Sequence, residues 1–279
     1  MKKFVLIIPF FFFVILKGND VDSTLNKWEP SLVFSLNLSQ VAFYNWNKGG
    51  KNSYAYELGV NWKMHYNSTR WVFENKFWAI IGHSRLENDE INITSNYLHN
   101  ETVLLGTGFL FHPYMSNLIR TALIDGYDYK KSPNEQIVAF FDPGYISQSI
   151  GLAYENESVI KVRLGFAFEE SFADKFATKY TDVPTSAEVE KFKLETGIES
   201  MTDINYDVAQ NIKYKGKLRL FSGFERLKIW DVAFNNYLIA KVNDWLNVNF
   251  SYVLIYKASE SLKTQMKEGL QIGVSYSVF

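Results

Sequence analysis

Residues 53–66 read SYAYELGVNWKMHY, and this stretch decides the fold. Tyr54, Tyr56, Leu58, Val60, Trp62, Met64 and Tyr66 share one parity, while Ala55, Glu57, Gly59, Asn61, Lys63 and His65 share the other. A β-strand sends alternate side chains to opposite faces, so the stretch has one apolar and one polar face. Globular strands usually run about five or six residues, whereas a tilted membrane-crossing strand needs about ten. The length points to the membrane.

The same alternation recurs along the chain. It is seen in Leu32, Phe34, Leu36 and Leu38, in Trp71, Phe73, Phe77, Ala79 and Ile81, and in Ile160, Val162, Leu164, Phe166 and Phe168. It returns in Trp230, Val232, Phe234, Leu238 and Ala240, in Leu246, Val248, Phe250, Tyr252 and Leu254, and in Leu270, Ile272, Val274, Tyr276 and Val278. Twelve segments can be placed: 31–44, 53–66, 70–83, 100–111, 115–128, 144–155, 158–169, 193–206, 211–224, 228–241, 244–257 and 266–278. The connections after even-numbered segments are short (67–70, 111–116, 155–157, 207–211, 242–244). Several after odd-numbered ones are long (84–100, 129–143, 170–192). An even strand count with short turns at one rim and long loops at the other predicts an all-β, antiparallel, up-and-down transmembrane barrel. The polar stretches 84–99 and 170–192 are expected as solvated outer loops, with a short helical turn at 186–192.

Composition agrees. Aromatic residues make up 17% of the chain, which favours strand over helix. The chain has no Cys, which excludes a disulfide scaffold, thiolate metal sites and a cysteine nucleophile. A formal net charge of −1 excludes a general nucleic-acid binder, which needs a basic surplus. Lys2 and Lys3 followed by the apolar run from Phe4 to Leu16 read as a signal peptide over 1–18. Residues 19–30 are then a short periplasmic segment and 31–279 the barrel in the outer membrane. Its expected partners are outer-membrane lipid and the barrel-assembly machinery, which would read the C-terminal strand ending in Phe279. That residue stands one position out of step with Tyr276 and Val278.

Short motifs add a resemblance. Ser35–Val41 (SLNLSQV), Asn45–Trp46, Gly49–Ser53 (GGKNS), Gly126–Tyr129 (GYDY) and Asp142–Tyr145 (DPGY) resemble landmarks of the domain-of-unknown-function 3078 family of Gram-negative outer-membrane proteins. The resemblance runs over most of 31–279, with no matching motif after about Phe168. It implies an outer-membrane barrel of no known activity and supplies no catalytic residues.

The search for reactive chemistry returns little. Phosphate-binding, dinucleotide, zinc-helix, calcium-loop and serine-elbow motifs are absent from the sequence. His65, His83, His99 and His112 show no metal-ligand spacing, and only His65 is expected on an inward face. No enzyme activity, cofactor or metal is expected. Six N-x-[ST] sequons, at Asn37, Asn67, Asn92, Asn100, Asn156 and Asn249, read as composition in an Asn-rich chain. Tyr54, Tyr66, Trp71, Trp78, Trp230, Trp245 and Tyr256 lie near segment ends and are expected as interfacial girdles. Tyr44, Trp46, Tyr127 and Tyr129 could form a carbohydrate-stacking platform at the loop end.

Two classes of function stay open at this point. One is a small outer-membrane barrel acting as a narrow pore, a structural element or a docking surface. The other is an exported soluble β-rich protein that holds a ligand in an apolar interior; a lipid-modifying outer-membrane enzyme is a lesser alternative. For the barrel, the polar parity predicts a charge-braced lumen. Glu195, Glu199 and Asp203 on one segment oppose Lys213, Lys215, Lys217 and Arg219 on the next, and Lys161 and Arg163 add to them. A turn centred on Ala209 would pair Asp203 with Lys215 and Glu199 with Arg219. A two-residue turn at Ser68–Thr69 would set Lys63 opposite Glu74.

Overall fold

The computed structural model describes residues 25–42, 51–87, 89–156, 159–181, 188–258 and 261–278. The expected signal peptide, Phe279, Tyr44 and Trp46 lie outside the described residues. The strands are β1 (Lys27–Val41), β2 (Ser53–Asn67), β3 (Trp71–Leu86), β4 (Asn92–Gly106), β5 (His112–Thr121), β6 (Gly126–Asp128) and β7 (Glu135–Val138). They continue as β8 (Gly144–Asn156), β9 (Ile160–Phe172), β10 (Phe192–Ala209), β11 (Ile212–Gly223), β12 (Asp231–Lys241), β13 (Leu246–Lys257) and β14 (Ser261–Ser277). Twelve of them close an antiparallel barrel in the order β1-β14-β13-β12-β11-β10-β9-β8-β5-β4-β3-β2. β6 and β7 form a separate hairpin in the long connection between β5 and β8.

Each expected segment has its strand, with shifted ends. β1 begins at Lys27, before the expected Ser31. β3 runs on to Leu86 and β4 begins at Asn92, so residues 84–86 and 92–99 of the expected outer loop 84–99 belong to the wall. The reason is that an inward barrel face is itself polar, and its residues carry the composition of a loop. In the connection between β9 and β10 the only helical turn among the described residues is α1 (Ala177–Tyr180). Residues 188–191, within the helical turn expected at 186–192, are not helical, and Phe192 opens β10.

Two turns move the registers. In the turn between β2 and β3, Ser68 Oγ accepts from the N–H groups of Arg70 and Trp71, and Ser68 N–H donates to the Trp71 carbonyl. The two-residue loop is therefore Thr69–Arg70, and Lys63 faces Lys76 while His65 faces Glu74. Between β10 and β11, Ala209 pairs with Ile212 and a bulge lies between Asp207 and Ala209, so Asp203 faces Lys217 and Glu199 faces Phe221. Sliding a turn by one residue slides the pairing by two and preserves the faces.

The seam between the first and last strands is the shortest of the wall. Among the described residues, β1 and β14 share six register pairs, from Val33↔Ser277 to Leu38↔Ile272, against fifteen between β1 and β2.

The two faces invert the order of a water-soluble protein. Outward residues are apolar and exposed: Met115 is 59%, Leu164 58%, Phe166 60% and Leu270 66% accessible. Inward residues are buried and include many charges, Glu101, Arg163, Glu169, Glu199 and Arg219 among them, beside apolar ones such as Leu118 and Phe221. Charged residues are almost never fully buried unless they are paired, so the lumen must satisfy them within itself.

Candidate functional site

The lumen holds two tiers of ion pairs. In the tier nearer the short-turn rim, four side chains form a ring of alternating charge. Glu101 on β4 accepts from Arg163 on β9 and from Lys217 on β11. Asp203 on β10 stands 3.4 Å from the same Arg163 and 3.2 Å from the same Lys217. Three of the four come from adjacent strands, and Glu101 reaches them from across the lumen. Trp78 flanks the ring, stacked on His99 at 3.6 Å between ring centroids and 6.0 Å from Lys217 Nζ.

The second tier centres on Glu169, which is 1% exposed and meets three cations. Arg219 lies 2.7 Å away, Arg120 2.9 Å and Lys257 3.3 Å, from β11, β5 and β13 respectively. Arg219 also binds Glu199 at 2.7 Å and donates to Ser147 Oγ at 3.1 Å. Tyr145 lies beneath two of these cations, 5.3 Å from Arg120 and 3.9 Å from Lys257. Above this tier Glu195 meets Lys193 at 3.0 Å and Arg226 at 2.9 Å, and Arg226 continues to Asp231 at 2.7 Å. Below the ring Glu74 meets Lys76 at 3.2 Å and Lys161 at 3.3 Å.

These contacts decide the expected pairs one by one. Glu199 and Arg219 meet, although diagonally, because Arg219 faces Met201 across the strands. Asp203 meets Lys217 in place of Lys215, and Lys215 faces Asn205. Lys213 meets Asp207 at 3.2 Å. Lys63 faces Lys76 in place of Glu74, whose partners are Lys76 and Lys161. Among the described residues Lys63 and Lys215 have no ion-pair partner, which leaves the short-turn mouth with a basic surplus.

Sequence reasoning missed Glu101, Glu169, Arg120, Lys257 and Arg226. Glu169 was within reach, since it shares the inward parity of Lys161 and Arg163 through Gly165 and Ala167. Glu101 lay within the expected segment 100–111 and was passed over because its partners stand on strands that do not touch its own, whereas His99, which is buried in the lumen, was masked by the loop reading of 84–99. The others meet their partners across the barrel or from a loop, where no spacing rule applies.

Of the expected girdle residues, Tyr66 and Trp71 stack at 5.1 Å at the short-turn rim, joined by Trp28 at 4.9 Å from Tyr66. Trp245 lies in a turn of that rim, and Tyr54, Trp230 and Tyr256 lie toward the other. Trp78 is a correction: its even parity on β3 is that of Glu74 and Lys76, and it belongs to the lumen. Tyr127 and Tyr129 lie 6.3 Å apart on the loop hairpin, beside an open cavity of about 420 Å³ that His83, Glu90 and Asn134 also line. Among the described residues no group of three His, Asp or Glu is placed to hold a metal ion.

Comparison with known proteins adds a partial family match. The model of a protein of unknown function, DUF3078, matches residues 38–127. That is narrower than the resemblance drawn from the motifs, and it leaves Asp142–Tyr145 outside. No curated protein matches the chain. Among solved structures, an outer membrane channel from Pseudomonas putida F1 aligns at 11% identity and a TM-score of 0.43, covering 93% of this chain and 99% of that one. The translocator domain of the autotransporter NalP from Neisseria meningitidis aligns at 7% identity and 0.39, covering 88% and 87%. The β domain of the Bordetella autotransporter BrkA aligns at 10% and 0.35, covering 89% and 98%. Identities and scores this low transfer no property to the chain.

Proposed function

We propose that this chain is an outer-membrane barrel braced shut at rest, serving as a structural or surface-docking element and passing at most a small anion-preferring leak. The observation that carries the reading is the pair of cross-lumen contacts Glu101–Lys217 and Glu169–Lys257, whose carboxylates are 2% and 1% exposed. Carboxylates so inaccessible do not line a water column. A twelve-strand barrel is also narrower than the 16–18-stranded porins, so side chains of this length reach across it.

The apolar outer wall supports membrane insertion over the soluble alternative, which needs apolar residues inside and polar ones outside. Here, among the described residues, the interior is dominated by ion pairs, and its apolar side chains, such as Leu105, Leu118 and Phe221, are themselves buried in packing. With the short-turn rim toward the periplasm, as in bacterial barrels generally, the loop segments 122–143, 173–181 and 188–191 face outward. β14 would be the strand engaged by the assembly machinery, and lipid the partner of the wall. Lys63 and Lys215 at the periplasmic mouth give any residual current its anion preference.

Two measurements test this. Detergent-extracted protein should migrate differently before and after boiling, and a protein that stays soluble without detergent would refute membrane insertion. Reconstituted into planar bilayers, it should give small, weakly anion-selective currents. A large cation-selective conductance would overturn the closed lumen.

A further inference from the structure

The outer wall is apolar over most of its area; its outward polar residues include Ser200 and Thr202 on β10, Asn236 on β12 and Glu268 on β14, and on one side they join into a row. Asn75 on β3 pairs with Thr102 on β4, Thr102 with Asn117 on β5, and Asn117 with Gln148 on β8. All four have the outward parity, because their strand neighbours Glu74, Glu101, Ser116 and Ser149 face the lumen network. Together they make an unbroken polar row across four adjacent strands, with Asn100 standing above it on β4. The outward position above each end is apolar, as are those below: Phe77 and Ile146 above, and Phe73, Leu104, Met115 and Ile150 below. No charged side chain stands in the row.

The row is only half satisfied. The Asn75 amide donates to Asn100 Oδ1 at 3.1 Å and to Thr102 Oγ1 at 2.9 Å. Asn117 and Gln148 have no side-chain hydrogen-bond partner among the described residues. The contrast is Asn236 on β12, the outward amide of the opposite wall. It accepts from Tyr214 Oη at 2.5 Å and donates to the Tyr252 carbonyl at 3.3 Å. There the outward amide is closed by its neighbours and the other outward polar group nearby is the carboxylate of Glu268, beside Tyr252; the β3–β8 wall leaves two amides for something outside the barrel. In hydrocarbon an unpaired amide is costly, because neither water nor lipid tails supply a partner.

Resting on the outer-membrane reading, we infer that the β3–β4–β5–β8 wall is the face on which a second copy of this chain docks, as a symmetric pair in the membrane. A side-chain amide both donates and accepts, so a row of amides is complementary to itself. A two-fold axis along the membrane normal brings one patch onto its own copy. Strands in a barrel tilt by about 35–45°, so the row runs obliquely and two facing rows cross near their centres. The centre lies at Thr102 and Asn117. The absence of charge in the row argues against an ionic partner, and its amides argue against bare lipid.

The natural chain has no Cys, so a single introduced thiol reports on its own copy alone. Asn117→Cys in the full-length protein should form a disulfide-linked dimer on mild oxidation in membranes. Leu238→Cys, outward on β12 of the opposite wall, should not. Detergent-solubilised wild type should have the mass of two copies by light scattering, and N117L/Q148L that of one copy while keeping its heat-modifiable band. A folded, heat-modifiable wild type of single-copy mass overturns the inference and leaves the outer-membrane reading standing. Equal cross-linking from both cysteine positions overturns it as well. A wild type soluble without detergent removes both readings. If N117L/Q148L does not fold, the two cysteine variants still decide.

Discussion

Replacing Glu101 by Gln removes one charge and leaves the side-chain volume in place. Glu101 is 2% exposed and is shared by Arg163 and Lys217. Without it, Asp203 is the one carboxylate left to both cations in the ring, at 3.4 and 3.2 Å. Removing one partner from a buried pair strands the other charge and costs about 3–5 kcal/mol. With a slope of about 3 kcal/mol per molar urea, that lowers the unfolding midpoint by roughly 1–2 M. The assay is the fraction of compact, unboiled band in liposomes across a urea series. Lys215→Gln, on the same strand as Lys217 but without an ion-pair partner among the described residues, should change stability by about 0.5 kcal/mol or less. The double variant E101Q/K217Q should recover part of the loss, because it leaves a neutral contact in place of a stranded cation. If E101Q and K215Q unfold at the same urea concentration, the lumen is wet, the ring is solvated, and the reasoning fails.

Three further outcomes follow from the two faces. Arg at Val60, Leu164 or Phe250 should cost about 2–4 kcal/mol near the midplane, and Arg at inward Ser251 less, measured by the same urea series. Gly59 is a poorer inward control, because a Cβ there would sit 2.5 Å from Ser35 Oγ and that hydroxyl would have to turn away. In single-Trp variants, brominated lipid should quench Trp71 and Trp245 and spare Trp78, which stacks on His99 inside; strong quenching of Trp78 would return it to the girdle. Lys63→Glu with Lys215→Glu should move the reversal potential of any residual current toward cations, and an unchanged potential would mean that the current bypasses this mouth.

Period two carried nearly all of the fold that could be read from the chain. In a barrel wall it states directly which side chains meet lipid and which meet the lumen, and the strand Ser53–Asn67 shows this over its whole length. Register was not legible in the same way, since it depends on where a turn folds. The Ser68 hydroxyl bonded to Arg70 and Trp71 moved one turn, and the bulge between Asp207 and Ala209 moved another. Each displacement changed every cross-strand partner and no face, so the charged residues expected on those strands stayed in the lumen while their pairs were partly misassigned. Trp78 was legible by its parity and was misplaced by its residue type. Glu101 and Lys217 come from strands that do not touch, so only the closed cylinder brings them together. The amides of Asn117 and Gln148 carry no signal in the sequence, because only the pairing of neighbouring strands aligns them.

The short seam makes the wall a ring with a clasp. Around the circumference most joints hold ten or more register pairs, but the β1–β14 joint holds six among the described residues. Ladder bonds share a sideways load roughly in parallel, so under lateral tension this joint carries the largest load per bond and parts before its neighbours. Thermal opening should concentrate at the same place, making Val33–Leu38 and Ile272–Ser277 exchange amide hydrogens sooner than the long β1–β2 ladder on the other side of the same strand. The lumen contacts Lys267 Nζ to Ser95 Oγ at 2.6 Å and Asn249 Nδ2 to Asn37 Oδ1 at 3.0 Å both span this joint. Inside this barrel, polar side chains therefore work as rivets placed where the backbone stitching is thinnest.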